Sequence, residues 1–265
     1  MGPWFAFVRE RLNDADAQAL CEAAFSVKYS ALISGTDLAV DESQIEVLRD
    51  FIRRRAHGEP VAYILGTRGF WRREFYVSSD TLIPRPETET LIETVMPFLS
   101  HTSRVLDLGT GCGVLGLTLA SETGAHVLMT DVSCDTLRVA RRNAANLKID
   151  VRLRRSNWYD AIEGTFDCIV SNPPYVASRD KHMQNGDLLF EPVVALDGGI
   201  DGLNALRHVV GEAPAYLYTG GRLAVEHGFN QADAVHALFQ SAGFHDIELV
   251  HDLSHHPRVT HGVLQ

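Results

Sequence analysis

The sequence predicts an α/β fold whose main part is a seven-stranded, mostly parallel sheet with helices on both faces. From about residue 85 onward, short apolar strand segments alternate with helical patterns, an order typical of parallel sheets. The last two strand segments are separated only by residues 253–258, so no crossover helix joins them and the final strand is expected to be antiparallel. A glycine-rich turn between the first of these strands and the next helix fits the same architecture.

The first 66 residues predict a small helical domain. Apolar residues follow a helical spacing near positions 20–27, and Asp41 followed by Gln44 resembles the capping box that begins a helix. Gly58-Glu59-Pro60 is expected to end that helix. Segments 61–66 and 74–83 are short and apolar or β-branched, which favours a small β-hairpin. The chain is therefore divided into a helical domain (1–66), a β-hairpin linker (67–84) and an α/β domain (85–265).

The elements of the α/β domain follow from the hydrophobic pattern. A first helix is expected after Pro86. Strands are predicted at 104–108, 126–131, 150–154, 166–171, 222–226, 247–251 and 259–264. Helices are predicted near 114–122, 133–146, 200–218 and 230–241.

The composition is that of a soluble globular protein, with 45% hydrophobic and 22% charged residues. A formal net charge of -10 disfavours non-specific binding to nucleic acid, because that binding depends on neutralising phosphates. No apolar stretch is long enough for a membrane helix, and the N-terminus lacks the apolar run of a signal peptide. The four cysteines are scattered without a CxxC pair, which predicts free thiols in the cytoplasm.

A strand runs into a glycine-rich turn at residues 105–113, with the sequence VLDLGTGCG. Glycines let the backbone turn sharply and approach a ligand, and the amides that begin the following helix point at it. Asp131 ends the next strand, where a carboxylate can accept hydrogen bonds from both ribose hydroxyls of a nucleoside cofactor. The spacing of Gly111, Gly113 and Gly116 also satisfies a dinucleotide fingerprint, so NAD or FAD is an alternative at this point.

Two features favour a methyl donor over a dinucleotide. The lead-in Asp107-Leu108-Gly109 resembles the methyltransferase motif, and a terminal antiparallel hairpin is the arrangement of the Rossmann-like class I methyltransferase sheet. A dehydrogenase would also need a hydride-transfer partner near the turn, and none is evident. The fold class is therefore predicted as a class I methyltransferase.

The tetrapeptide Asn172-Pro173-Pro174-Tyr175 follows an apolar strand and is expected at the same edge of the sheet as the glycine turn. An amide or aniline-like nitrogen is a poor nucleophile because its lone pair is delocalised. The Asn172 side-chain oxygen and the Pro173 carbonyl can accept its two N–H bonds, while the prolines hold the backbone rigid. Tyr175 offers an aromatic face to a flat substrate group. These four residues are the predicted catalytic and substrate-binding residues.

Beyond these motifs, the chain resembles the release-factor glutamine N5-methyltransferases (the HemK or PrmC family) over roughly residues 58–265. The segments that carry the resemblance are Gly58–Pro60, 81–89 (TLIPRPETE), 107–113, 171–175, 190–192 (FEP), Ala195-Leu196, Asp201-Gly202 and Glu226-His227-Gly228. Residues 83–89 (IPRPETE) are the most specific among them.

The resemblance implies that S-adenosylmethionine is the methyl donor, with S-adenosylhomocysteine as product. It implies as substrate the glutamine of a Gly-Gly-Gln loop in a peptide chain release factor, whose methylation modulates translation termination. By the same resemblance, Asp131 would bind the ribose, Trp158 would lie by the adenine, and Arg85 and Glu87 would shape a lid. The residues implied to line the methionine part are Gly109, Thr110, Gly111, Cys112 and Gly113. Asn172 to Tyr175 would hold the glutamine amide, and Asn172 would also contact the cofactor.

One position departs from the family pattern, because Asn157 stands where many members have aspartate before the tryptophan. Its side-chain oxygen can still accept a bond from the adenine amino group. The protein is expected to act as a monomer without binding nucleic acid or membranes.

The nearest alternative is a DNA adenine N6-methyltransferase, since the exocyclic amine of adenine suits the same tetrapeptide. The chain has 24 basic against 34 acidic residues, and its densest basic patch is interpreted as a solvated face. That patch consists of Arg141, Arg142, Arg152, Arg154 and Arg155. A cofactor-binding module without activity is a further alternative, which the intact tetrapeptide disfavours.

No metal site is predicted. Histidines cluster near the C-terminus at positions 251, 255, 256 and 261, but their spacing matches no strong zinc pattern.

Overall fold

The computed structural model describes residues 3–34, 40–181 and 186–265. The chain divides into two compact units. The smaller unit comprises Met1–Thr67 and Gly186–Phe190, and the larger comprises Arg68–Asn185 and Glu191–Gln265. The division into 1–66, 67–84 and 85–265 stays a prediction.

The smaller unit is helical, as predicted. Its helices are α1 (Pro3–Arg9), α2 (Asp14–Phe25), α3 (Tyr29–Ile33), α4 (Glu42–Ala56) and α5 (Val61–Leu65). The capping box at the start of α4 is confirmed, because the Asp41 side chain and the Gln44 side chain each bond the other residue's backbone N–H. Buried apolar side chains from these helices form one cluster that includes Phe5, Leu20 and Leu48.

The segment 61–66 is not a strand, so the predicted first strand of the hairpin was wrong. Pro60 precedes α5 at its N-cap, and Gly66 ends α5 in the left-handed region with a φ of 72°. The hairpin lies further along the chain, as strands β1 (Thr67–Phe70) and β2 (Arg73–Tyr76). A five-residue apolar run fits a strand and a short buried helix equally well, and the proline and glycine at its ends decide for the helix.

The larger unit contains a seven-stranded sheet whose fold class agrees with the prediction. Its strands are β3 (Arg104–Leu108), β4 (His126–Asp131), β5 (Arg152–Arg155), β6 (Phe166–Ser171), β7 (Leu217–Glu226), β8 (Phe244–His251) and β9 (Pro257–Leu264). Their order across the sheet is β5-β4-β3-β6-β7-β9-β8. Neighbours from β5 to β7 are parallel, whereas β9 is antiparallel to both β7 and β8.

Helices follow the strands in the expected alternation. They are α6 (Glu89–Val95), α7 (Val114–Thr123), α8 (Cys134–Leu147), α9 (Asn204–Glu212) and α10 (Ala232–Ser241). A 3-10 turn, Pro86–Thr88, precedes α6. The predicted helix at 200–218 is shorter in the structure, because Asp201 accepts a bond from the Leu203 N–H before α9 begins and Pro214 lies in a 3-10 turn after it.

The core of the larger unit lies around β3, β6 and β7. Leu106, Ile169 and Leu223 are fully buried on these strands and join one apolar cluster with residues of α9 and α10. Strands buried on both faces are what a parallel sheet covered by helices requires. Among the described helices, none combines the length and the apolar character that a membrane crossing requires.

Candidate functional site

The glycine-rich turn joins β3 to α7 at the carboxyl edge of the sheet. Gly111 and Gly113 adopt left-handed backbone angles, with φ values of 58° and 95°. A side chain on Gly113 would also lie 2.9 Å from both Leu117 and Met129, so the turn needs glycine there for space as well as conformation. The Gly113 N–H closes the turn by donating to the Thr110 carbonyl at 2.9 Å.

Asp131 lies at the end of β4, beside this turn. Its Oδ2 accepts from the Gly111 N–H at 3.2 Å and its Oδ1 accepts from the Ser133 N–H at 3.0 Å. Burial raises the pKa of the Asp131 carboxyl group, although these backbone N–H groups lower it. The carboxylate is therefore held in a fixed orientation by the turn and by the start of α8.

A cavity of about 260 Å³ opens beside the turn within the larger unit. Most of the predicted site residues line it together. They are Gly109, Thr110, Gly111, Cys112, Asp131, Trp158, Asn172 and Pro174. Among the described residues, the wall does not include Gly113, Pro173 or Tyr175.

Trp158 and Asn157 form one side of the cavity, after β5. Trp158 has a left-handed backbone with a φ of 49°, and the Ser156 hydroxyl donates to its carbonyl at 2.6 Å. The Asn157 Nδ2 donates to Asp160 at 3.1 Å, which leaves the amide oxygen to accept from a ligand. A half-buried indole ring next to a fixed carboxylate suits an adenine base and its ribose.

Asn172 follows the last residue of β6 and is half-buried in the cavity wall. Its Nδ2 donates to the Thr88 hydroxyl at 3.1 Å, so Oδ1 is the end that can accept from a substrate N–H. Tyr175 lies behind the wall, where its hydroxyl donates to Glu226 at 3.0 Å and its ring packs on the apolar core. Burial raises the pKa of the Tyr175 phenol above its usual range.

The cavity has a second wall made of two segments joined by an ion pair. Arg85 bonds Glu191, whose side chain is fully buried and also accepts from the Ile83 N–H at 3.2 Å. Arg85, Pro192 and Val194 all line the cavity. Glu87 lies in the 3-10 turn that follows Arg85.

The side chains and backbone groups that line the cavity fit S-adenosylmethionine. Asp131 presents a carboxylate for hydroxyl groups, Trp158 an aromatic face, and the first residues of α7, Val114 and Leu115, reach the lining. Gly111 has open space where a side chain would project, so its backbone can be approached closely. Burial raises the pKa of the Cys112 thiol to about 12, which keeps this part of the wall neutral.

Comparison with known proteins decides the family. The profile described as PrmC N-terminal domain matches residues 5–66, and the profile described as methyltransferase small domain matches residues 86–199. A release factor glutamine methyltransferase of Xylella fastidiosa (strain Temecula1) is 45% identical over 262 residues, which are 97% of this chain and 95% of that relative. This chain belongs to the release factor glutamine methyltransferase family.

A second relative, the release factor glutamine methyltransferase of Escherichia coli (strain K12), is 38% identical over 251 residues, or 93% of this chain and 91% of that protein. Among solved structures, a methyltransferase from Pyrococcus furiosus is similar in fold, with a TM-score of 0.57 at 19% identity. The match covers 80% of this chain and 96% of that structure. The resemblance and the fold class expected from the sequence are both confirmed.

The structure adds two residues to this methyltransferase site that the sequence analysis did not assign a role. Asp107 is fully buried beneath the turn, where its Oδ2 accepts from the Thr110 hydroxyl at 2.5 Å and the Gly116 N–H at 3.0 Å. Burial raises the pKa of Asp107 to about 7. Its signal was its position, since a carboxylate in an apolar strand requires hydrogen-bond partners.

Asn143 is the second such residue. Its Nδ2 donates to the carbonyls of Cys112, at 2.8 Å, and Tyr76, at 2.9 Å, while its Oδ1 accepts from the Tyr76 N–H at 2.7 Å. The side chain thus fastens the glycine turn to β2 through α8. A polar residue on the buried face of α8 was the available signal.

The remaining predicted features have local partners. His227 is buried, and its ring bonds the Thr260 hydroxyl at 2.8 Å, while burial lowers its pKa. Within residues 3–34, 40–181 and 186–265, no group of three or more His, Cys, Asp or Glu side chains is arranged to hold a metal ion. In the basic patch, Arg154 and Arg155 donate to the backbone carbonyls of Ala161 and Val132.

Proposed function

We propose that the protein transfers the methyl group of S-adenosylmethionine to the side-chain amide nitrogen, N5, of the glutamine in the Gly-Gly-Gln motif of peptide chain release factors. This methylation would modulate translation termination. The observation that carries the proposal is the position of Asn172, whose amide group is held at the cavity wall in a chain that belongs to this family.

The proposed cofactor residues have distinct tasks. Asp131 accepts hydrogen bonds from the ribose hydroxyls, and the indole of Trp158 covers the adenine. Residues 109–113 accommodate the methionine part against the backbone of the turn. When bound, S-adenosylmethionine supplies a methyl group on a positively charged sulfur and leaves as S-adenosylhomocysteine.

The protein's contribution to the transfer is positioning. Asn172 Oδ1 and the Pro173 carbonyl accept the two N–H bonds of the glutamine amide, which aims the nitrogen and favours its pyramidal form. Pro173 and Pro174 restrict the backbone, so the two acceptors stay in place. One N–H proton becomes acidic only as the new N–C bond forms, and it then leaves to solvent. No strong general base is needed before the transfer.

The proposal includes a protein substrate, a monomeric enzyme and a cytoplasmic location. The four cysteines are free, with Cys21, Cys112 and Cys168 buried, which suits a reducing compartment. Nucleic acid is not proposed as a substrate, because 34 acidic residues outnumber 24 basic ones.

The test uses radiolabelled methyl donor with three acceptors in parallel: a purified release factor, its variant with the Gly-Gly-Gln glutamine replaced by alanine, and duplex DNA. Labelling of the unmodified factor alone supports the proposal and assigns the methyl group to one side chain. Equal labelling of the alanine variant, or labelling of DNA, would overturn the proposed substrate.

A further inference from the structure

The side chain of Gln231 is buried where three segments meet behind the tetrapeptide 172–175. Gln231 directly precedes α10, and only 8% of it is exposed. Its Nε2 donates to the Tyr175 carbonyl at 3.0 Å and to the Gly202 carbonyl at 3.2 Å. Its Oε1 accepts from the Gly228 N–H at 2.8 Å. These three bonds join the last residue of the tetrapeptide to two segments that are distant from it in the sequence.

The bonds determine which way the Gln231 amide faces. A backbone N–H can only donate and a carbonyl can only accept, so Gly228 requires the amide oxygen and Tyr175 requires the amide nitrogen. The reversed amide would place its oxygen against two carbonyl oxygens and its NH2 group against an N–H. The Gln231 side chain makes no capping bond in α10 itself. Its polar atoms therefore bind the neighbouring segments and not its own helix.

Gly202 allows the backbone to come close enough for this arrangement. It has a left-handed backbone with a φ of 75°, and a side chain there would lie 2.4 Å from the Tyr175 oxygen and 2.6 Å from Gln231 Nε2. Gly198 is a similar case, because a side chain there would lie 2.8 Å from the Pro174 oxygen. The carbonyls of Pro174 and Tyr175 thus both lie against the segment 198–202.

The peptide unit that joins Tyr175 to Val176 is held on both sides. Its N–H, from Val176, donates to the Leu196 carbonyl at 3.0 Å. Its oxygen, from Tyr175, accepts from Gln231. Without the bond from Gln231, the peptide unit would be held on the Val176 side alone and could rotate about that contact.

The tetrapeptide depends on donors of this kind because two of its four residues are prolines. Proline has no N–H, so the backbone here is held mainly through its carbonyl oxygens, which can only accept. Each proline also restricts its own φ and the backbone of the residue before it, so residues 172–174 form a stiff unit. A shift at the Tyr175 carbonyl is therefore carried along the backbone to Pro173 and Asn172.

We infer that Gln231 is a positioning residue for methyl transfer, which keeps the Pro173 carbonyl and the Asn172 amide oxygen aligned with the substrate amide. The inference rests on the proposed function, in which these two oxygens accept the N–H bonds of that amide. Gln231 acts through the Tyr175 carbonyl, and it is not among the described residues that line the cavity. The family resemblance includes its other two partners, Gly202 and Gly228, but gave them no role.

The decisive variant is Gln231→Met, which keeps the length of the side chain and removes both polar ends. It is expected to lower kcat with a saturating release factor by roughly 10- to 100-fold, as displaced acceptor groups would. The dissociation constant of S-adenosylmethionine should not change, because most of the proposed contacts with this cofactor lie outside the tetrapeptide. Gln240→Met, on the exposed face of the same helix, is the matched control and should keep the wild-type kcat. A wild-type kcat in Gln231→Met would overturn the inference.

A spectroscopic readout reports on the bond itself and needs no substrate. Isotopic labelling of the tyrosine carbonyl carbon and the valine amide nitrogen selects two peptide units, because the sequence has only two Tyr-Val pairs, at 76–77 and 175–176. The Tyr175 carbonyl signal in NMR should move upfield in Gln231→Met, since a hydrogen bond is lost. The Tyr76 carbonyl accepts from Asn143 Nδ2 at 2.9 Å, so its signal is the internal reference and should not move. An unchanged Tyr175 signal would overturn the inference even if kcat falls.

The wild type provides a further test that does not require Gln231→Met to fold. The side-chain NH2 signal of Gln231 should exchange slowly with solvent, whereas the exposed NH2 group of Gln240 should exchange fast. Fast exchange at Gln231 would overturn the inference. A wild type that shows slow exchange at Gln231 but labels no release factor would contradict the proposed function and support the bond between Gln231 and the tetrapeptide.

Discussion

Asn172 contributes a carboxamide whose two ends have different surroundings. The nitrogen is committed to Thr88, and the side chain also lines the cavity. An acceptor that is already oriented before the substrate arrives needs no reorganisation during the reaction. This preorganisation makes the effect of removing the side chain specific to the transfer step.

Replacing Asn172 by alanine is therefore expected to reduce methylation by at least ~100-fold. The affinity for S-adenosylmethionine should change little, because most of the proposed contacts with this cofactor come from Asp131, Trp158 and the glycine turn. Initial rates with a release factor and calorimetric titration of the donor measure the two effects. Asn146→Ala, on the exposed face of α8, is the control. Comparable turnover in Asn172→Ala would contradict the role assigned to this residue.

A second prediction concerns Asp131 and the binding of S-adenosylmethionine. Both of its oxygens already accept a backbone N–H, so the amide of Asp131→Asn must direct its NH2 group at one of these donors. We expect the dissociation constant of S-adenosylmethionine to rise by about 10-fold or more, since bonds to a charged acceptor are the stronger ones. Asp135→Asn, in the exposed first turn of α8, is the matched control. An unchanged dissociation constant, measured by titration calorimetry, would argue against ribose binding by Asp131.

At the scale of elements, the site depends on the close packing of α7 on β3 and β4. Gly116 lies in the first turn of α7, and its N–H donates to Asp107 at 3.0 Å. A side chain there would lie 2.6 Å from the Cγ atom of Met129 and 2.9 Å from Asp107 Oδ2. The helix cannot approach the sheet this closely with a larger residue.

Gly116→Ala is accordingly expected to lower the free energy of unfolding by about 1–3 kcal/mol, the usual cost of overpacking a core. The substitution should also weaken the binding of S-adenosylmethionine, because α7 begins directly after the glycine-rich turn. Gly211→Ala is the control, since this exposed glycine lies in α9 with nothing within 4 Å of the added atom. That variant should gain about 0.5–1 kcal/mol. Urea denaturation of both variants measures the difference, and equal stabilities would show that α7 can shift at no cost.

The elements also show which parts of the fold a sequence pattern can predict. The bounds of β3, β4 and β6 agree with the prediction, because each is a mainly apolar segment limited by turns. Strand β7 begins earlier than predicted, at Leu217, since Gly220 and Gly221 within it resemble a turn. The first three residues of β8, 244–246, were missed because the polar residues His245 and Asp246 separate Phe244 from the apolar run that begins at Ile247.

The residues of the candidate site also fall into those that the sequence pattern predicted and those that it did not. The glycine turn, Asp131 and Asn172 were expected together because parallel strands bring their carboxyl ends to one edge. The side chains that orient them were not, since Thr88 lies 84 residues from Asn172 and its contact depends on how α6 packs. Glu226 and Asn143 are similar cases, in which a single polar residue in an apolar segment gives no indication of its distant partner.

At the scale of the whole molecule, three carboxylates that are buried or partly buried lie toward the carboxyl ends of parallel strands. Asp107, Asp131 and Glu226 lie on β3, β4 and β7, and burial raises the pKa of each. The chain already carries a formal net charge of -10. Ionising these groups in the folded state therefore opposes folding, and the free energy of unfolding should depend on pH.

Asp107 defines the pH range over which the free energy of unfolding should change. Its pKa is about 7 in the folded protein against 3.8 for the unperturbed group, so the folded state binds a proton more tightly than the unfolded chain. Its contribution to stability is complete below pH 3.8 and is lost as the pH rises through about 7. Asp107→Asn keeps an oxygen for Thr110 and Gly116 but cannot ionise, so its melting temperature relative to wild type should increase between pH 5 and pH 8. Scanning calorimetry of the ligand-free proteins measures this, with Asp233→Asn on the exposed start of α10 as a control that should follow the wild type. Parallel curves for Asp107→Asn and wild type would mean that Asp107 is already ionised at pH 5, with its bonds to Thr110 and Gly116 outweighing the effect of burial.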